Sequence, residues 1–280
     1  MKNYQSKNIN SIPYFFSGFW YKDPPKDVSL DGYRIDNVIH YTDLVIGIYF
    51  GIVVAALAYF IFKYRASLGH KAEYDHGNSR KNVMFTGGLG LLVFFSVDAV
   101  IEKMAFKDLK EAFWNFPKTE NVIRIEVMPQ QFAWNFCYAG PDNEFGTDDD
   151  IIPSQNHMHI PVNTPVVVQI ASWDVIHSFY LPNFRIKQDA TPGMITALWF
   201  QATETGVFDI ACAELCGNSH YRMKGYLTVE TEKDYHQWLL ENTPEDSEED
   251  DWDDWDDWGD EDEEDTGVPE DWGWAWKELK

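Results

Sequence analysis

Hydrophobic and polar positions divide this chain into two regimes. Residues 44–62 form a run of nineteen without a charge, flanked by Asp43 and by Lys63-Tyr64-Arg65. Residues 83–101 form a second run of the same length, interrupted only by Asp98. At 1.5 Å per residue, each helix reaches about 28 Å, near the thickness of a bilayer core. Two buried core helices are the bland alternative, but the length of the runs and their basic connector favour membrane spans. Beyond residue 117 the period shortens. Residues 121–128 alternate as a strand, with Val122, Ile123, Ile125 and Val127 among polar neighbours, and 132–138 continue as an aromatic strand. Residues 158–160, 165–171, 196–200, 206–211 and 225–229 read as further strands, and 234–240 as a short terminal helix. Many short strands with turn signals predict an all-β sandwich of Greek-key type behind a two-helix transmembrane hairpin.

Charge supplies an orientation. The connector carries Lys63, Arg65, Lys71, Arg80 and Lys81 against Glu73 and Asp75, while the flank before the first span is mixed. Positive residues stay inside, so the connector is expected in the cytoplasm, with both termini and the sandwich outside. Pro13-Tyr14-Phe15-Phe16 is too short and aromatic for a cleaved signal, so the first span is expected to act as an uncleaved anchor. Asp98 is costly inside a span. It points to a partner helix or water path, or to snorkelling at the outer interface.

Composition alters the picture only at the C-terminus. Sixteen of the twenty-one residues 245–265 are acidic and none is basic, so removing them takes the net charge from -24 to -8. A three-residue repeat runs through Trp252, Trp255 and Trp258. Such charge density forbids a compact core, and the tail is expected to be disordered or partner-bound, attracting a basic protein. A nucleic-acid partner is not expected.

The chemistry is concentrated in Cys212-Ala213-Glu214-Leu215-Cys216-Gly217-Asn218-Ser219-His220-Tyr221-Arg222-Met223. Two thiols, an imidazole and a thioether within twelve residues form the soft ligand set that selects copper, with zinc second. His177 lies upstream in Asp174-Val175-Ile176-His177-Ser178-Phe179. A structural disulfide between Cys212 and Cys216, or a zinc held with His177 and His220, would explain the cysteines without using Met223 or Glu214. Two cysteines four apart can instead bridge two copper ions. Cys137 is the odd third cysteine and reads as a buried small residue.

The spacing Cys-x-Glu-x-Cys-Gly-x-x-His-x-x-Met, preceded by Asp-Val-Ile-His-Ser-Phe, resembles subunit II of the haem–copper cytochrome c oxidases, over roughly residues 31–240. The resemblance implies a cupredoxin-like sandwich and a dinuclear copper centre, CuA. Cys212 and Cys216 would bridge the coppers, and His177 and His220 would be terminal ligands. Met223 and the backbone carbonyl of Glu214 would be weak ligands, and the Glu214 carboxylate would face a magnesium ion at the subunit I border. Gln130-Gln131-Phe132-Ala133-Trp134-Asn135-Phe136-Cys137-Tyr138 matches the aromatic region where cytochrome c hands over its electron. Phe132 stands where many members have tryptophan, while Trp134 is retained; both are candidates for electron entry. Lys187 and Asp189 match residues near the magnesium site and haem propionates, and Met194 replaces a frequent arginine. Asn82 stands at the position of a glutamate that often marks a proton path, which puts a proton entrance through this subunit in doubt.

The expected organisation is an N-terminal extracytoplasmic segment (1–42), the hairpin (43–104), a cupredoxin CuA domain (117–240) and the acidic tail (241–280). The expected function is electron input to a respiratory terminal oxidase of a bacterial inner membrane. Electrons from cytochrome c or another c-type haem donor would reach the haems of subunit I, where oxygen is reduced to water with proton pumping, alongside subunit III. A stand-alone membrane-anchored cupredoxin carrier is the second reading, and a copper-binding protein without a redox role the third. Quinol oxidase subunit II lacks these ligands, and nitrous oxide reductase needs a propeller domain for which there is no room.

Overall fold

The computed structural model describes residues 24–71, 74–119, 121–140 and 144–243. The acidic repeat at 245–265 lies outside the described residues, as does most of the N-terminal segment. The described residues divide into two compact units, one comprising 24–25 and 33–115, the other 26–32 and 116–243. Residues 26–32 therefore belong with the sandwich unit. Val28 is buried in its core, and its N–H donates to the Asn183 carbonyl at 3.0 Å.

The helical unit holds α1 (Gly32–Lys63) and a second long helix, Arg80–Phe113, each long and apolar enough to cross a membrane. Both outrun the charge-free stretches, because polar residues at their ends continue the helical hydrogen bonding. The second helix consists of α2 (Arg80–Val93), a π turn (Phe94–Asp98), α3 (Ala99–Asp108) and another π turn (Leu109–Phe113). Ser79 caps α2, its Oγ accepting the Asn82 N–H at 3.2 Å. The Asn82 side chain donates to Asp75 at 3.0 Å, so this position ties the helix start to the connector. In the first π turn the Ser96 hydroxyl lies 2.9 Å from the Tyr49 hydroxyl, and its carbonyl accepts from Tyr41. Asp98, the last residue of that turn, is exposed within this unit.

The second unit is a two-layer sandwich. Its strands are β1 (Ile123–Gln130), β2 (Ala133–Tyr138), β3 (His157–Pro161), β4 (Pro165–Ile170), β5 (His177–Leu181), β6 (Ile186–Ala190), β7 (Thr196–Gln201), β8 (Gly206–Cys212) and β9 (Lys224–Glu230). One sheet has the order β2-β1-β4-β7 and the other β3-β9-β8-β5-β6. The β1–β4 and β3–β9 pairs are parallel and the remainder antiparallel, the crossed connectivity of a Greek key. Inward residues alternate on β4 (Val166, Val168 and Ile170), β7 (Leu198 and Phe200) and β9 (Leu227 and Val229), whereas β1, expected to alternate, is buried on five successive residues, 125–129, because both its faces are covered. Trp134, Phe136 and Phe179 fill the layer between the sheets.

Strands β5 and β6 were not among the sequence-predicted strands. β5 is buried on nearly every residue, so it shows no alternation, and β6, Ile-Lys-Gln-Asp-Ala, is a largely polar edge strand. The outer face of β1 and β2 is also covered, with Met128, Cys137, Phe145 and Ala171 forming a smaller cluster. The terminal helix α4 (Glu232–Asn242) begins at Thr231, whose Oγ1 accepts the Asp234 N–H at 3.2 Å.

Candidate metal centre

Chain topology brings the two halves of the ligand set together. β5 pairs antiparallel with β8, matching Phe179 to Cys212, so His177 at the start of β5 and Cys212 at the end of β8 share one end of the sheet. The chain then loops from 213 to 223 before returning as β9. Hydrogen bonds from the Ala213 N–H to the Ser178 carbonyl (3.0 Å) and from the Cys212 N–H to the Met223 carbonyl (3.3 Å) pin this loop at its base. The Gln131 side-chain amide holds it from the other sheet by donating to the Cys216 carbonyl. Gly217 allows that approach. At φ 137° it lies where side chains are disfavoured, and a Cβ there would stand 2.7 Å from Gln131 Nε2 and 3.1 Å from Phe132.

The donor atoms converge. Cys212 Sγ lies 3.8 Å from Cys216 Sγ, 3.9 Å from His177 Nδ1 and 3.2 Å from the Glu214 carbonyl oxygen. Cys216 Sγ lies 3.6 Å from His220 Nδ1 and 3.7 Å from Met223 Sδ. Each sulfur thus has an imidazole and one weaker donor beside it. The sulfurs are not joined, and Cys137, Cys212 and Cys216 are all free thiols. Ligands at about 2.3 Å around a tetrahedral ion stand about 3.8 Å apart, so these spacings suit metal binding without rearrangement. Two thiols, two imidazoles and a thioether are a soft set, fitting copper better than zinc.

Electrostatics prepare the ligands. Burial pushes the Cys212 thiol up, but hydrogen bonding with His177, the Glu214 and Ser178 backbone and His220 outweighs it and brings the thiol down to about 6. Burial and then the neighbouring Cys212 charge push Cys216 up to about 12. Burial lowers His177, yet its contacts with Cys212 and Asp174 leave it raised overall. The Asp174 carboxylate accepts His177 Nε2–H at 2.8 Å, the Gln131 N–H at 2.7 Å and the Val175 N–H at 2.6 Å. A carboxylate on the far nitrogen of a ligand histidine fixes its tautomer and ring orientation. Asp174 and Gln131 are supporting residues whose roles the motif did not announce; the Asp three residues before His177 was the available signal.

The other predicted residues are placed as follows. The Glu214 side chain is exposed, away from the sulfurs that its carbonyl faces. Trp134 is fully buried, its ring edge-on to His177 with centroids 6.4 Å apart. Phe132 is at the surface beside Gly217. Asp189 accepts the Ser178 hydroxyl at 2.7 Å and pairs with Lys187 at 3.4 Å, so it is tied to the residue after His177.

A protein family described as cytochrome C oxidase subunit II, periplasmic domain, matches residues 124–230. The alternative cytochrome c oxidase subunit 2 of Bradyrhizobium diazoefficiens is 31% identical over 252 residues, covering 82% of this chain and 87% of that protein. The chain belongs to the cytochrome c oxidase subunit II family. Cytochrome c oxidase subunit 2 of Thermostichus vulcanus is 39% identical over 118 residues, 42% of this chain and 33% of that protein, so the similarity there spans about a third of the relative. Among solved structures, the periplasmic domain of subunit II of cytochrome oxidase of Bradyrhizobium japonicum is similar at 31% identity and a TM-score of 0.39, over 46% of this chain and 96% of that one. As a subunit II of a haem–copper oxidase, this chain pairs two apolar helices with a sandwich of the family's periplasmic type, and its His-Cys-Cys group is a candidate copper site.

Proposed function

We propose that this subunit II is the electron-input subunit of its oxidase. The observation that carries the reading is the convergence of His177, Cys212, Cys216, His220, Met223 and the Glu214 carbonyl at one end of a rigid sandwich. Cys212 and Cys216 would bridge two copper ions, His177 and His220 would terminate them, and Met223 and the Glu214 carbonyl would be the weak ligands. When bound, the pair of coppers supplies a one-electron store whose charge spreads through two thiolates, so little geometry changes on reduction.

The protein's part is to hold those ligands still and dry. Asp174 orients His177 through its far nitrogen, and Gln131 and the Ser178 carbonyl fix the loop. Burial of His177, Cys216 and Met223 excludes water from much of the set. With two thiolates, two imidazoles, a thioether and a carbonyl to hold it, the copper centre would carry electrons rather than bind oxygen, so oxygen reduction to water and the associated proton pumping would belong to subunit I and its haems. The exposed Glu214 carboxylate would face a magnesium ion at that border, with Lys187 and Asp189 nearby, and subunit III would complete the core.

The basic connector between the helices supports a cytoplasmic hairpin turn, with the sandwich and both termini on the periplasmic face of a bacterial inner membrane. Cytochrome c or another c-type haem protein would be the donor, and the acidic residues 245–265 would raise its encounter rate. The deciding experiment is copper quantitation with electron paramagnetic resonance on purified full-length subunit II loaded with copper, so that copper held by other subunits of the oxidase is not counted. Two coppers per subunit II with a seven-line mixed-valence signal is the expected result. A four-line signal with one copper, or zinc in its place, would overturn the reading, and purification from the native membrane without any haem-bearing subunit would favour a stand-alone carrier.

A further inference from the structure

A donor protein meets the surface of this subunit, and the ligands His177, Cys216 and Met223 are buried. Trp134 is buried as well, so no donor touches it. Of the aromatic rings that reach the surface around the metal centre, Tyr221, 82% exposed, sits on the ligand loop itself beside His220, and two others lie on the loops that support it. Phe132 is 36% exposed at the β1–β2 turn, and Trp173 is 49% exposed in the loop between β4 and β5. The Trp173 loop is fixed in place. The Trp173 N–H donates to the Pro129 carbonyl at 3.1 Å, and the next residue, Asp174, binds the Gln131 N–H at 2.7 Å.

The two rings differ in what lies behind them. Behind Phe132, the adjacent Gln131 side chain donates to the Cys216 backbone carbonyl, several bonds from the sulfur, and its backbone N–H reaches Asp174 only across a further hydrogen bond of 2.7 Å. Behind Trp173, the next residue's carboxylate hydrogen-bonds the imidazole of His177, a ligand side chain, at 2.8 Å. The indole is also the larger contact surface, and tryptophan is enriched among residues that dominate binding energy at protein interfaces. Ile176, also exposed, extends the apolar surface along the same loop.

We propose that Trp173 is the docking contact and entry port for the electron donor, with the Trp173–Asp174–His177 connection as the inward route. The proposal rests on the electron-input reading above. The donor is a reduced one-electron carrier protein with an exposed cofactor edge. It loses one electron and the metal centre gains one; no bond forms or breaks and no proton is transferred. Phe132 remains the competing port, and the two are separable by substitution.

The test uses the purified oxidase carrying Trp173→Leu, Trp173→Phe or Phe132→Leu. Stopped-flow mixing with a reduced c-type cytochrome gives the rate of copper-centre reduction, and hexaammineruthenium(II), a small reductant needing no docking site, gives the control rate. Copper absorption and donor affinity are recorded on the same samples. Trp173→Leu is expected to slow reduction by the protein donor about tenfold or more, to weaken donor binding, and to leave the copper spectrum and the small-reductant rate unchanged. Trp173→Phe should recover most of the rate. If Trp173→Leu loses the copper signal, Trp173→Gln, a polar side chain suited to an exposed position, is judged by the same criteria. A protein-donor rate within about twofold of the parent, or a large loss confined to Phe132→Leu, would overturn the assignment. A parent oxidase reduced by the small reagent but by no protein donor would instead overturn the electron-input reading itself, and the port with it.

Discussion

Replacing Asp174 with alanine is a stringent test of how this centre is supported. The carboxylate accepts three N–H groups, from His177 Nε2, Gln131 and Val175. The two backbone donors lie close enough to solvent for water to replace it. His177 has no such recourse, because its side chain is completely buried while that of Asp174 is 26% exposed. An unsatisfied buried donor costs about 1–3 kcal/mol, so the copper-free protein should lose that much stability. The metal suffers separately. Loss of a residue that orients a ligand typically costs about 10–100-fold in affinity, equivalent to about 1.4–2.7 kcal/mol.

Two assays separate these effects. Denaturant unfolding of the copper-free chain reads the first, and competition with a copper chelator reads the second. Asp174→Asn should fall between the parent and Asp174→Ala, since its amide oxygen can still accept one of the N–H groups. The imidazole also changes its proton affinity. Asp174 helps hold His177 above its ordinary value against burial, and a protonated His177 cannot bind metal. Copper affinity of the parent should therefore fall as pH drops through a point above 6.5, and that point should move to lower pH in Asp174→Ala. If stability and copper affinity both stayed within about twofold of the parent, Asp174 would not support His177 and the reasoning would be refuted.

Three further outcomes follow from the same geometry. Alkylation of the copper-free protein should modify Cys212 before Cys216, with an inflection near pH 6, because one thiol is held at about 6 and the other at about 12; peptide mapping that found Cys216 modified first would contradict this. Gly217→Ala should cost about 1–3 kcal/mol in chemical denaturation and speed copper release, since a φ of 137° strains any side chain and the Gln131 amide, 2.7 Å from the new methyl group, must move off the Cys216 carbonyl; unchanged release would show that the loop gives way elsewhere. Trp134→Ala should destabilise the sandwich by about 3–5 kcal/mol, as expected for truncating a fully buried aromatic, and an equilibrium unfolding curve shifted by less than about 1 kcal/mol would count against its place in the core.

Much of this structure was legible because period and spacing survive folding. The two apolar runs became helices, and the strands read at 165–171, 196–200 and 225–229 formed as β4, β7 and β9, whereas β1, read as alternating, is buried on five successive residues. The Cys-x3-Cys-x3-His-x2-Met spacing is local, so one loop suffices to bring those residues together. What sequence could not show depends on partners distant along the chain. β5 gave no strand signal because both its faces are covered, and β6 gave none because it sits at an edge. The support from Gln131 to Cys216 spans 85 residues, and nothing around Gln131 indicates where its amide points. Trp173 reads as one more aromatic beside a polar loop until Asp174 is seen bonded to His177. The π turn at 94–98 depends on hydrogen-bond geometry that composition does not encode.

The loop's supports determine what removing copper should do. Small zinc modules unfold without metal because the ion replaces a core they lack. Here the core is the layer between the sheets, formed by Trp134, Phe136, Ile160, Val168, Phe179, Leu198 and Leu227, and of the loop's candidate ligands only Cys216 and Met223 are buried against it. The loop is held at 213 by Ser178, at 216 by Gln131 and at 223 by Cys212, none of these bonds passing through metal. Chelated full-length protein should therefore keep its β-sheet circular dichroism and a cooperative unfolding transition. Faster hydrogen exchange should be confined to residues 213–223 and the start of β5. If copper removal instead collapsed exchange protection on β1, β4 and β7, strands of the sheet that carries none of the candidate ligands, the metal would be holding the fold and the sandwich would not be the rigid frame on which the electron-input reading depends.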